Sequence, residues 1–308
     1  MPTKLVLASR GSKLALTQAG LVVDMLERVD PSIEVEVRTV KTTGDKDARP
    51  FVAIGGRGLF VTEVEREVTD RGADFAVHSA KDLTAELAPG CSLVCVPARG
   101  PVYDVVVGGE GGSGEERIGS LPSGAVVGTS SMRRRALLAE ARPDLEVADL
   151  RGNLDTRLTK VERGDVDVAI LAAAGLERIG VSSGAALDPF RWVPPPGQGA
   201  LAVEALTERR DLLDLFAPLT DAAARAEIVC ERAFAARLEG GCSVPLGCLA
   251  RAEDGVLSVT GFLGHPEGLE SMRDRISGGV DEAAALGVEL AQAILAGGGD
   301  ALLEELGG

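Results

Sequence analysis

Short apolar runs alternate with segments of helical periodicity through the first two thirds of the chain. Lys4–Ala8 is an apolar run, and after a polar turn the apolar residues between Leu14 and Leu26 recur every three or four positions. This recurrence predicts a strand followed by an amphipathic helix. The same order returns at Ala125–Val127 and again at Val166–Leu171. Strands that alternate with helices in this way predict α/β lobes built on largely parallel sheets.

A proline-rich turn, Val193–Gly199, interrupts this alternation and leads into one more strand, Ala200–Glu204. We predict that this strand returns to the first lobe, so that two crossovers connect two α/β lobes. From Asp221 the pattern changes to a long helix, then to alternating segments between Cys248 and Ser277, and then to two terminal helices, which predicts a small α+β domain. The predicted domains are residues 1–99 with 198–219, residues 100–197, and residues 220–308.

Composition and charge narrow the class of protein. The chain has 308 residues, and its hydrophobic fraction of 45% is typical of a globular protein. Lys and Arg number 32 against 47 Asp and Glu, and the formal charge of -15 argues against nucleic acid or an anionic membrane as the main partner. The sequence has no evident secretory signal and no apolar run that we judge long enough to cross a bilayer, so we expect a cytoplasmic protein.

The cysteines give a candidate reactive residue but no metal site. They number five, and their spacing matches neither Cys-x-x-Cys nor a zinc pattern. With 2 histidines in the chain we expect no metal, and reduced thiols fit a reducing compartment. Cys242 follows two glycines and precedes a proline, which places it on a tight loop, Leu238–Gly247. These residues alone leave two alternatives open: a thiol that fills a gap beneath a turn, or a thiol displayed as a nucleophile or attachment point.

Polar residues follow several predicted strands at the point where each strand ends. Arg10 and Ser12 stand at a helix N-terminus, which favours an anion, although an ordinary N-cap explains Ser12 equally well. His78–Asp82 follows a buried strand, at the sheet edge where open α/β folds bind ligands. Gly128–Arg135 combines hydroxyls with three arginines. In a chain of negative net charge we interpret these clusters as anion sites in a cleft between the lobes, together with Arg151, Arg157 and Arg178.

These signals occur in one order along nearly the whole chain. The motifs are Ser9–Ser12, His78–Asp82, Gly128–Arg134, Leu150–Asn153, Pro196–Gly199 and Leu238–Cys242. Together they closely resemble the porphobilinogen deaminase family, also called the hydroxymethylbilane synthases. The resemblance implies a monomeric transferase of tetrapyrrole, porphyrin and heme biosynthesis. Such an enzyme condenses porphobilinogen units head to tail, releases ammonia, and gives the linear tetrapyrrole hydroxymethylbilane.

The resemblance also implies roles for individual residues. The family builds its product on a dipyrromethane cofactor, joined by a thioether to the cysteine that matches Cys242, and Asp82 matches its principal catalytic carboxylate. The acetate and propionate groups of porphobilinogen require cationic partners. The implied cofactor-binding residues are Lys81, Asp82, Ser130, Arg133, Arg134 and Cys242. The implied substrate-binding residues are Arg10, Ser12, Arg57, Phe60, His78, Ser79, Arg151, Arg157, Arg178 and Gln198.

The chain departs from the family pattern in one long connection, and two other functions compete with the one that the resemblance implies. Lys41–Gly58 is a long polar connection of a kind common in lids, and it has Ala53 and Arg57 where relatives often have lysine. The alternative from another class is a non-catalytic small-anion binding protein, because two α/β lobes with a double crossover also resemble periplasmic binding proteins. A redox protein that uses Cys242 and Cys248 is disfavoured because the chain lacks Cys-x-x-Cys.

Overall fold

The computed structural model describes residues 3–46, 58, 60–238, 244–268 and 270–307. These residues form two α/β lobes and a smaller third unit, each built on its own sheet. The predicted mixed α/β class, with two sheet-containing lobes and a small C-terminal domain, is therefore confirmed.

The first lobe is built on a five-stranded sheet. Its strands are β1 (Thr3–Arg10), β2 (Ile33–Val40), β3 (Phe75–Ser79), β4 (Cys91–Cys95) and β10 (Leu201–Leu206), and its helices are α1 (Lys13–Val29), α2 (Thr43–Lys46), α3 (Thr62–Thr69) and α8 (Arg210–Phe216). The strand order is β2-β1-β3-β10-β4, in which β10 runs antiparallel to both neighbours and the other paired strands are parallel. The strand after the proline-rich turn thus returns to the first sheet.

The second lobe has a five-stranded sheet of the same layout. Its strands are β5 (Asp104–Gly108), β6 (Val126–Gly128), β7 (Glu146–Ala148), β8 (Val168–Ala172) and β9 (Ala185–Ala186), and its helices are α4 (Gly114–Ser120), α5 (Met132–Ala141), α6 (Leu154–Glu162) and α7 (Ala173–Arg178). The order is β7-β6-β8-β5-β9, with β5 antiparallel to β8 and β9. The antiparallel strand lies fourth in each sheet: β10 in the first lobe and β5 in the second. In both lobes this is the strand that follows a connection from the other lobe.

In each of the two sheets, an aspartate side chain joins two neighbouring central strands by a hydrogen bond. Asp74 Oδ2 accepts a hydrogen bond from the Val6 N–H at 2.7 Å, and Asp167 Oδ2 accepts one from the Val126 N–H at 2.7 Å. Each carboxylate directly precedes its own strand, β3 or β8, and satisfies a backbone donor of the neighbouring parallel strand. The two central strands of each lobe are therefore held in a fixed register.

The third unit is an antiparallel sheet covered by helices. Its elements are α9 (Ala222–Arg237), β11 (Leu246–Glu253), β12 (Val256–Gly264), β13 (Ser271–Gly279), α10 (Ala283–Ile294) and α11 (Asp300–Glu305). The sheet order is β11-β12-β13, and both neighbouring pairs are antiparallel. Phe234 of α9, Leu257 of β12 and Leu290 of α10 are fully buried in one core. This burial of apolar surface on one face of the sheet holds the unit together.

The sequence did not predict α4 or the short strand β9. The composition of the glycine-rich stretch Gly108–Gly114 predicts a surface loop, but α4 begins at its last residue, Gly114. A capping box fixes this helix start, because Ser113 Oγ accepts from the Glu116 N–H at 3.1 Å and Glu116 Oε2 accepts from the Ser113 N–H at 2.8 Å. The local hydrogen bonds outweigh the low helix propensity of the neighbouring glycines.

We expected no segment long enough to cross a bilayer. By the criteria of length and composition alone, this expectation was wrong. Among the described residues, the helical segment Val280–Glu305 meets both criteria. A left-handed residue, Gly298 with φ 115°, divides this segment, and Leu286 and Leu290 on its first part are buried in the core of the third unit. The segment packs as a core helix of this unit, so its length and composition are weak evidence for a membrane span.

Candidate active site

A buried glutamine lies where the first lobe meets the second. The Gln198 side chain donates from Nε2 to the carbonyl of Val102 at 2.8 Å and to Asp104 Oδ1 at 2.9 Å. Its Oε1 accepts from Lys81 Nζ at 3.4 Å. Gln198 therefore connects the lysine beside the predicted catalytic carboxylate with an aspartate of the second lobe, and its amide is used within the protein.

Two arginines of the second lobe converge on that aspartate. Asp104 is fully buried, and its Oδ2 accepts from Arg133 Nη2 at 2.7 Å and from Arg134 Nε at 3.1 Å, while Oδ1 accepts from Arg134 Nη2 at 2.7 Å. Burial alone would raise the pKa of Asp104, but the charges of Arg134 and Arg133 outweigh it and hold that pKa well below the usual range. One negative charge thus holds two positive ones, which leaves this part of the cleft cationic.

Helix capping explains why these arginines point into the cleft. Ser131 is the N-cap of α5, and its Oγ accepts from the Arg134 N–H at 3.5 Å. Arg133 and Arg134 follow within the first turn, where free N–H groups and the helix dipole add to the positive potential. Ser130 Oγ and Arg133 Nε are buried and have no hydrogen-bond partner among the described residues. This local geometry leaves hydrogen-bonding groups for an anionic ligand.

Lys81 and Asp82 lie on a single 3-10 turn, Ala80–Asp82, directly after β3. Burial of the amine lowers the pKa of Lys81 to about 8, although the neighbouring Asp82 charge opposes this shift. Gly197 packs against the turn, and a Cβ added there would lie 2.7 Å from both the carbonyl carbon of Ala80 and the nitrogen of Lys81. The close approach of the Pro196–Gly199 turn therefore requires glycine and fixes the position of the Ala80–Asp82 turn, which bears the predicted catalytic carboxylate and is called the catalytic turn below.

A cavity of about 50 Å³ lies beside Asp82. The predicted site residues that line it are Arg10, Ser12, Phe60, His78, Ser79 and Asp82. The Arg10 guanidinium lies 4.2 Å from the centroid of the Phe60 ring, a cation–π contact that orients the arginine. Ser12 is the N-cap of α1 and accepts from the Ala15 N–H at 3.3 Å, and Ser79 Oγ accepts from Gln18 Nε2 at 2.9 Å. The structure thus brings these residues together around the predicted catalytic carboxylate.

Three further predicted arginines, Arg151, Arg157 and Arg178, belong to the second lobe. Arg157 Nε donates to the carbonyl of Gly152 at 2.9 Å, and Arg178 Nη2 donates to the carbonyl of Gly199 at 2.6 Å. Burial lowers the pKa of Arg157 to about 10, Arg134 and Arg151 reinforce this shift, and the charge of Asp82 opposes it. Arg157 therefore lies within electrostatic reach of Asp82, across the boundary between the lobes.

His78 makes an unexpected contact. Its Nε2 lies 3.1 Å from Glu204 Oε2, and the two side chains are only 4% and 0% exposed. The imidazole is therefore held against a buried glutamate. The predicted substrate-binding role would instead require the imidazole to be presented freely to the substrate.

Two predicted site residues, Arg57 and Cys242, lie outside the described residues. The chain just after Cys242 packs on the second lobe, because the Cys248 N–H donates to the carbonyl of Pro194 at 2.9 Å. The adjacent carbonyl of Val193 accepts from Arg133 Nη1 at 2.8 Å. The described residues that follow the cysteine loop therefore lie close to the arginine pair.

An ion-pair network joins α9, which precedes the cysteine loop, to the lobes. Arg99 donates to Glu231 at 2.8 and 2.9 Å, to Glu227 at 2.9 Å, and through Nε to the carbonyl of Gln198 at 2.9 Å. Glu231 also accepts from the N–H groups of Gly197 at 2.6 Å and Ala250 at 2.9 Å. This bidentate pairing connects the third unit to the turn that packs on Lys81.

Sequence reasoning missed Asp104, Arg99, Glu204 and Glu231 as contributors to the site. A charged residue inside or at the start of an apolar strand is a usable signal, because a buried carboxylate requires a partner. Asp104 begins the apolar strand β5, and Glu204 lies within the apolar strand β10. Their partners are distant along the chain, so the sequence could indicate that a partner exists without identifying it.

Family models and curated relatives match almost all of the chain. Residues 5–214 match the model described as porphobilinogen deaminase, dipyromethane cofactor binding domain, and residues 225–296 match the porphobilinogen deaminase C-terminal domain. A probable porphobilinogen deaminase of Hyperthermus butylicus is 44% identical over 94% of this chain and 95% of its own length. The porphobilinogen deaminase of Roseiflexus castenholzii is 44% identical over 98% and 99% of the two chains, and that of Methylobacillus flagellatus is 41% identical over 99% and 98%.

Solved structures that align with this chain include two binding proteins. The methionine binding protein MetQ aligns with a TM-score of 0.42 and 9% identity over 71% of this chain and 90% of its own. A putative periplasmic sulfonate-binding protein from Methylobacillus flagellatus aligns with a TM-score of 0.39 and 15% identity over 74% and 68% of the two chains. Similarity at these TM-scores does not indicate a function for this chain.

Proposed function

Because this chain belongs to the porphobilinogen deaminase family, we propose how its own residues carry out the reaction of that family. The enzyme condenses porphobilinogen units stepwise with release of ammonia, and the matched family domain is the one that binds the dipyrromethane cofactor. The comparisons support this function over the alternative of a non-catalytic anion-binding protein. The roles of individual residues are our proposal.

The cationic part of the cleft fits the cofactor. When bound, dipyrromethane supplies a covalently attached primer to which substrate units are added. Its carboxylates need cations and hydrogen-bond donors, and the buried Arg133 Nε and Ser130 Oγ have no partner among the described residues. We assign its binding to Lys81, Asp82, Ser130, Arg133 and Arg134, with Cys242 as the point of attachment.

Asp82 performs the repeated chemistry in this proposal. In each addition the bond between the aminomethyl carbon and nitrogen of porphobilinogen breaks, ammonia leaves, and a new carbon–carbon bond forms with loss of a proton from the attacking pyrrole carbon. The Asp82 carboxylate stabilises the positive charge that develops on the substrate as ammonia leaves, and it accepts or returns protons. A carboxylate suits this role because the developing charge is positive.

The residues around the cavity bind and orient the incoming substrate. We assign the carboxylates of porphobilinogen to Arg10 and Ser12 in the first lobe and to Arg151, Arg157 and Arg178 in the second. Phe60 orients Arg10, and Ser79 is held by Gln18 at the cavity wall. Gln198 contributes by holding other residues, since its amide already has partners within the protein. His78 contributes through its buried contact with Glu204.

One observation carries these assignments: Asp82 lines one cavity with Arg10 and Ser12. Its neighbour Lys81 is joined through Gln198 to Asp104, the carboxylate that holds the arginine pair of the second lobe. The Asp82 charge opposes the lowering of the pKa of Lys81 in the first lobe and of Arg157 in the second. A carboxylate among cations at a lobe boundary can stabilise a cationic reacting centre while the cations hold the anionic side chains of the same substrate.

Intact-protein mass spectrometry tests the attachment, and steady-state turnover tests the catalytic role. We expect an adduct of dipyrromethane mass on the wild type, its loss in Cys242→Ser, and its retention in Cys91→Ser as the matched control. Asp82→Asn should keep the adduct and lose nearly all porphobilinogen turnover. An unmodified wild type that is fully active would contradict the attachment, and normal turnover by Asp82→Asn would contradict the catalytic role.

We also propose the domain bounds 1–99 with 198–219, 100–197 and 220–308, and a cytoplasmic monomer that binds neither nucleic acid nor membrane. The strand order supports the bounds, because β10 joins the first sheet. The formal charge of -15 supports the absence of a polyanionic partner. Size-exclusion chromatography with light scattering tests the monomer, and a dimer mass would contradict it.

A further inference from the structure

A cluster of ionisable side chains lies buried in the first lobe behind the catalytic turn. Its members, which we call the Glu204 cluster, come from five different elements: Glu65 of α3, His78 of β3, Cys91 of β4, Glu204 of β10 and Arg232 of α9. Glu204 is fully buried, and Glu65 and His78 are 6% and 5% exposed. None of these residues except His78 was predicted to take part in the site.

Glu204 is the centre of this cluster. One of its oxygens lies 3.1 Å from His78 Nε2, and neither oxygen has a hydrogen-bond partner among the described residues. Burial, and after it the charge of Glu204, raises the pKa of the Cys91 thiol to about 12. Burial and the same charge raise the pKa of Glu65, and the charges of His78 and Arg232 oppose that shift. The Cys91 thiol and the Glu65 carboxyl group therefore both lie within electrostatic reach of the Glu204 carboxylate.

Such a carboxylate is costly to bury. A buried ionised group without full hydrogen bonding destabilises the folded state by several kcal/mol unless opposite charges compensate it. His78 is in contact with Glu204, and the Arg232 charge also acts together with those of Glu204 and Glu65. Among the described residues no group of three or more His, Cys, Asp or Glu side chains could hold a metal ion. His78 and Arg232 are therefore the groups through which we expect Glu204 to act on its surroundings.

These two compensating groups hold opposite ends of the catalytic turn. His78 precedes Ser79 and the 3-10 turn Ala80–Asp82 directly. Arg232 donates from Nη1 to the carbonyl of Thr84 at 2.9 Å and from Nη2 to the carbonyl of Ala85 at 2.7 Å, just after the turn. The segment that bears Lys81 and Asp82 is thus fixed at its start by an imidazole and at its end by a guanidinium. His78 contacts Glu204 at 3.1 Å, and the charges of Arg232 and Glu204 act on each other.

We propose that Glu204 is a positioning residue for Asp82, acting through His78 at one end of the catalytic turn and through Arg232 at the other. Because Arg232 belongs to α9, the same contacts place Asp82 relative to the helix that leads to Cys242. The inference rests on the proposed function, because it assumes that the position of Asp82 limits turnover. Misplacement of a reacting group by about 1 Å can cost about a hundredfold in rate.

The test is Glu204→Gln, which keeps the shape of the side chain and removes its charge. Asp167→Asn is the control, because it removes a carboxylate that supports a strand in the second lobe, far from this cluster. We expect Glu204→Gln to retain the cofactor adduct and the KM for porphobilinogen while kcat falls by at least about tenfold. The control should keep its kcat even though it unfolds more easily.

Imidazole NMR gives a readout that loss of stability would not change. The chain has 2 histidines, so 15N-histidine labelling gives one pair of ring-nitrogen signals for each imidazole, and His265→Gln assigns them. In Glu204→Gln the His78 signals should shift while the His265 signals stay. If Glu204→Gln does not fold, Arg232→Lys replaces it, since lysine keeps the charge but cannot bridge two carbonyls, and kcat should fall at unchanged KM.

The outcomes separate the inference from the proposed function. Wild-type turnover together with unchanged kcat in Glu204→Gln, or in Arg232→Lys where that variant is used, overturns the inference alone. The inference is also overturned if Asp167→Asn lowers kcat as much as Glu204→Gln does. It is overturned as well if the His78 signals do not shift in Glu204→Gln. A wild type that carries no adduct and does not turn over porphobilinogen overturns both.

Discussion

Asp104 and Arg134 form a bidentate ion pair in the interior of the cleft, with N–O distances of 3.1 and 2.7 Å. Arg133 shares the same carboxylate, so two adjacent guanidinium groups of like charge are held together by one buried anion. The pair lies on one side of Gln198 and Lys81 lies on the other. The cationic character of the site therefore depends on a residue that contributes a negative charge.

Asp104→Asn should destabilise the protein and disturb the arginine pair. Removing one partner of a buried ion pair typically costs about 3–5 kcal/mol, because the remaining charges are left uncompensated. Urea unfolding should show this loss, and intact mass should show reduced cofactor loading. Asp149→Asn is the control, since the neighbouring Arg135–Asp149 pair is partly exposed and should contribute at most about 1 kcal/mol. Equal losses in the two variants would contradict the role of Asp104.

Lys81 should make anion binding depend on pH. Its pKa is lowered from 10.5 to about 8, so its positive charge is lost as the pH rises through about 8. We expect the affinity of the cofactor-free Cys242→Ser protein for an anionic probe such as succinate to fall over this range. Calorimetric titration at several pH values measures the affinity, and Lys81→Met in the same background should flatten the profile. A profile that is unchanged by Lys81→Met would contradict this assignment.

The same shift has a consequence for stability. Between pH of about 8 and 10.5 the unfolded lysine holds a proton that the folded lysine has lost, so the Lys81 contribution to the free energy of unfolding rises with pH. Below about 8 both states are protonated and the contribution is constant. The free energy of unfolding of the wild type, relative to that of Lys81→Met, should therefore increase between pH of about 8 and 10.5.

Arg99→Met should weaken the junction between the third unit and the lobes. It leaves Glu231 buried without its cation and Glu227 with only the partly exposed Arg251, for which we expect a loss of about 3–5 kcal/mol in urea unfolding. Arg251→Met is the matched control, because Arg251 lies 3.6 Å from the same Glu227 but is 52% exposed. A small loss in Arg99→Met, equal to that of the control, would show that the junction does not depend on Arg99.

Gly197→Ala should displace the catalytic turn. Gly197 has φ 79°, and an added Cβ would approach the backbone of Ala80 and Lys81 to 2.7 Å. We expect kcat to fall and stability to decrease by more than about 1 kcal/mol, because a side chain is strained at this φ. Gly255→Ala is the control, since its φ of 80° is equally unfavourable but nothing lies within 4 Å of the added Cβ. The control should lose stability and keep its kcat.

Individual residues show how far the sequence could predict the site. The strand-end motifs placed Arg10, Ser12, Ser79 and Asp82 together, and the structure finds them around one cavity. Gln198 and His78 were predicted to bind substrate, but their polar atoms contact Asp104 and Glu204. Motif position indicates that a residue lies at the cleft, whereas the direction of its side chain depends on partners that other strands supply.

The sequence by itself determined the alternation of strands and helices, the residues at the strand ends, the net charge and the family, because each depends on local order along the chain. The tertiary structure decided which charges meet. Asp104 joins Arg133 and Arg134 from about 30 residues away, and Arg99 joins Glu231 across 132. Glu204 joins His78 because β10 returns by a crossover to lie beside β3. Buried charges must be compensated by whichever residues the fold brings into contact, and only the packing of the three units specifies these residues.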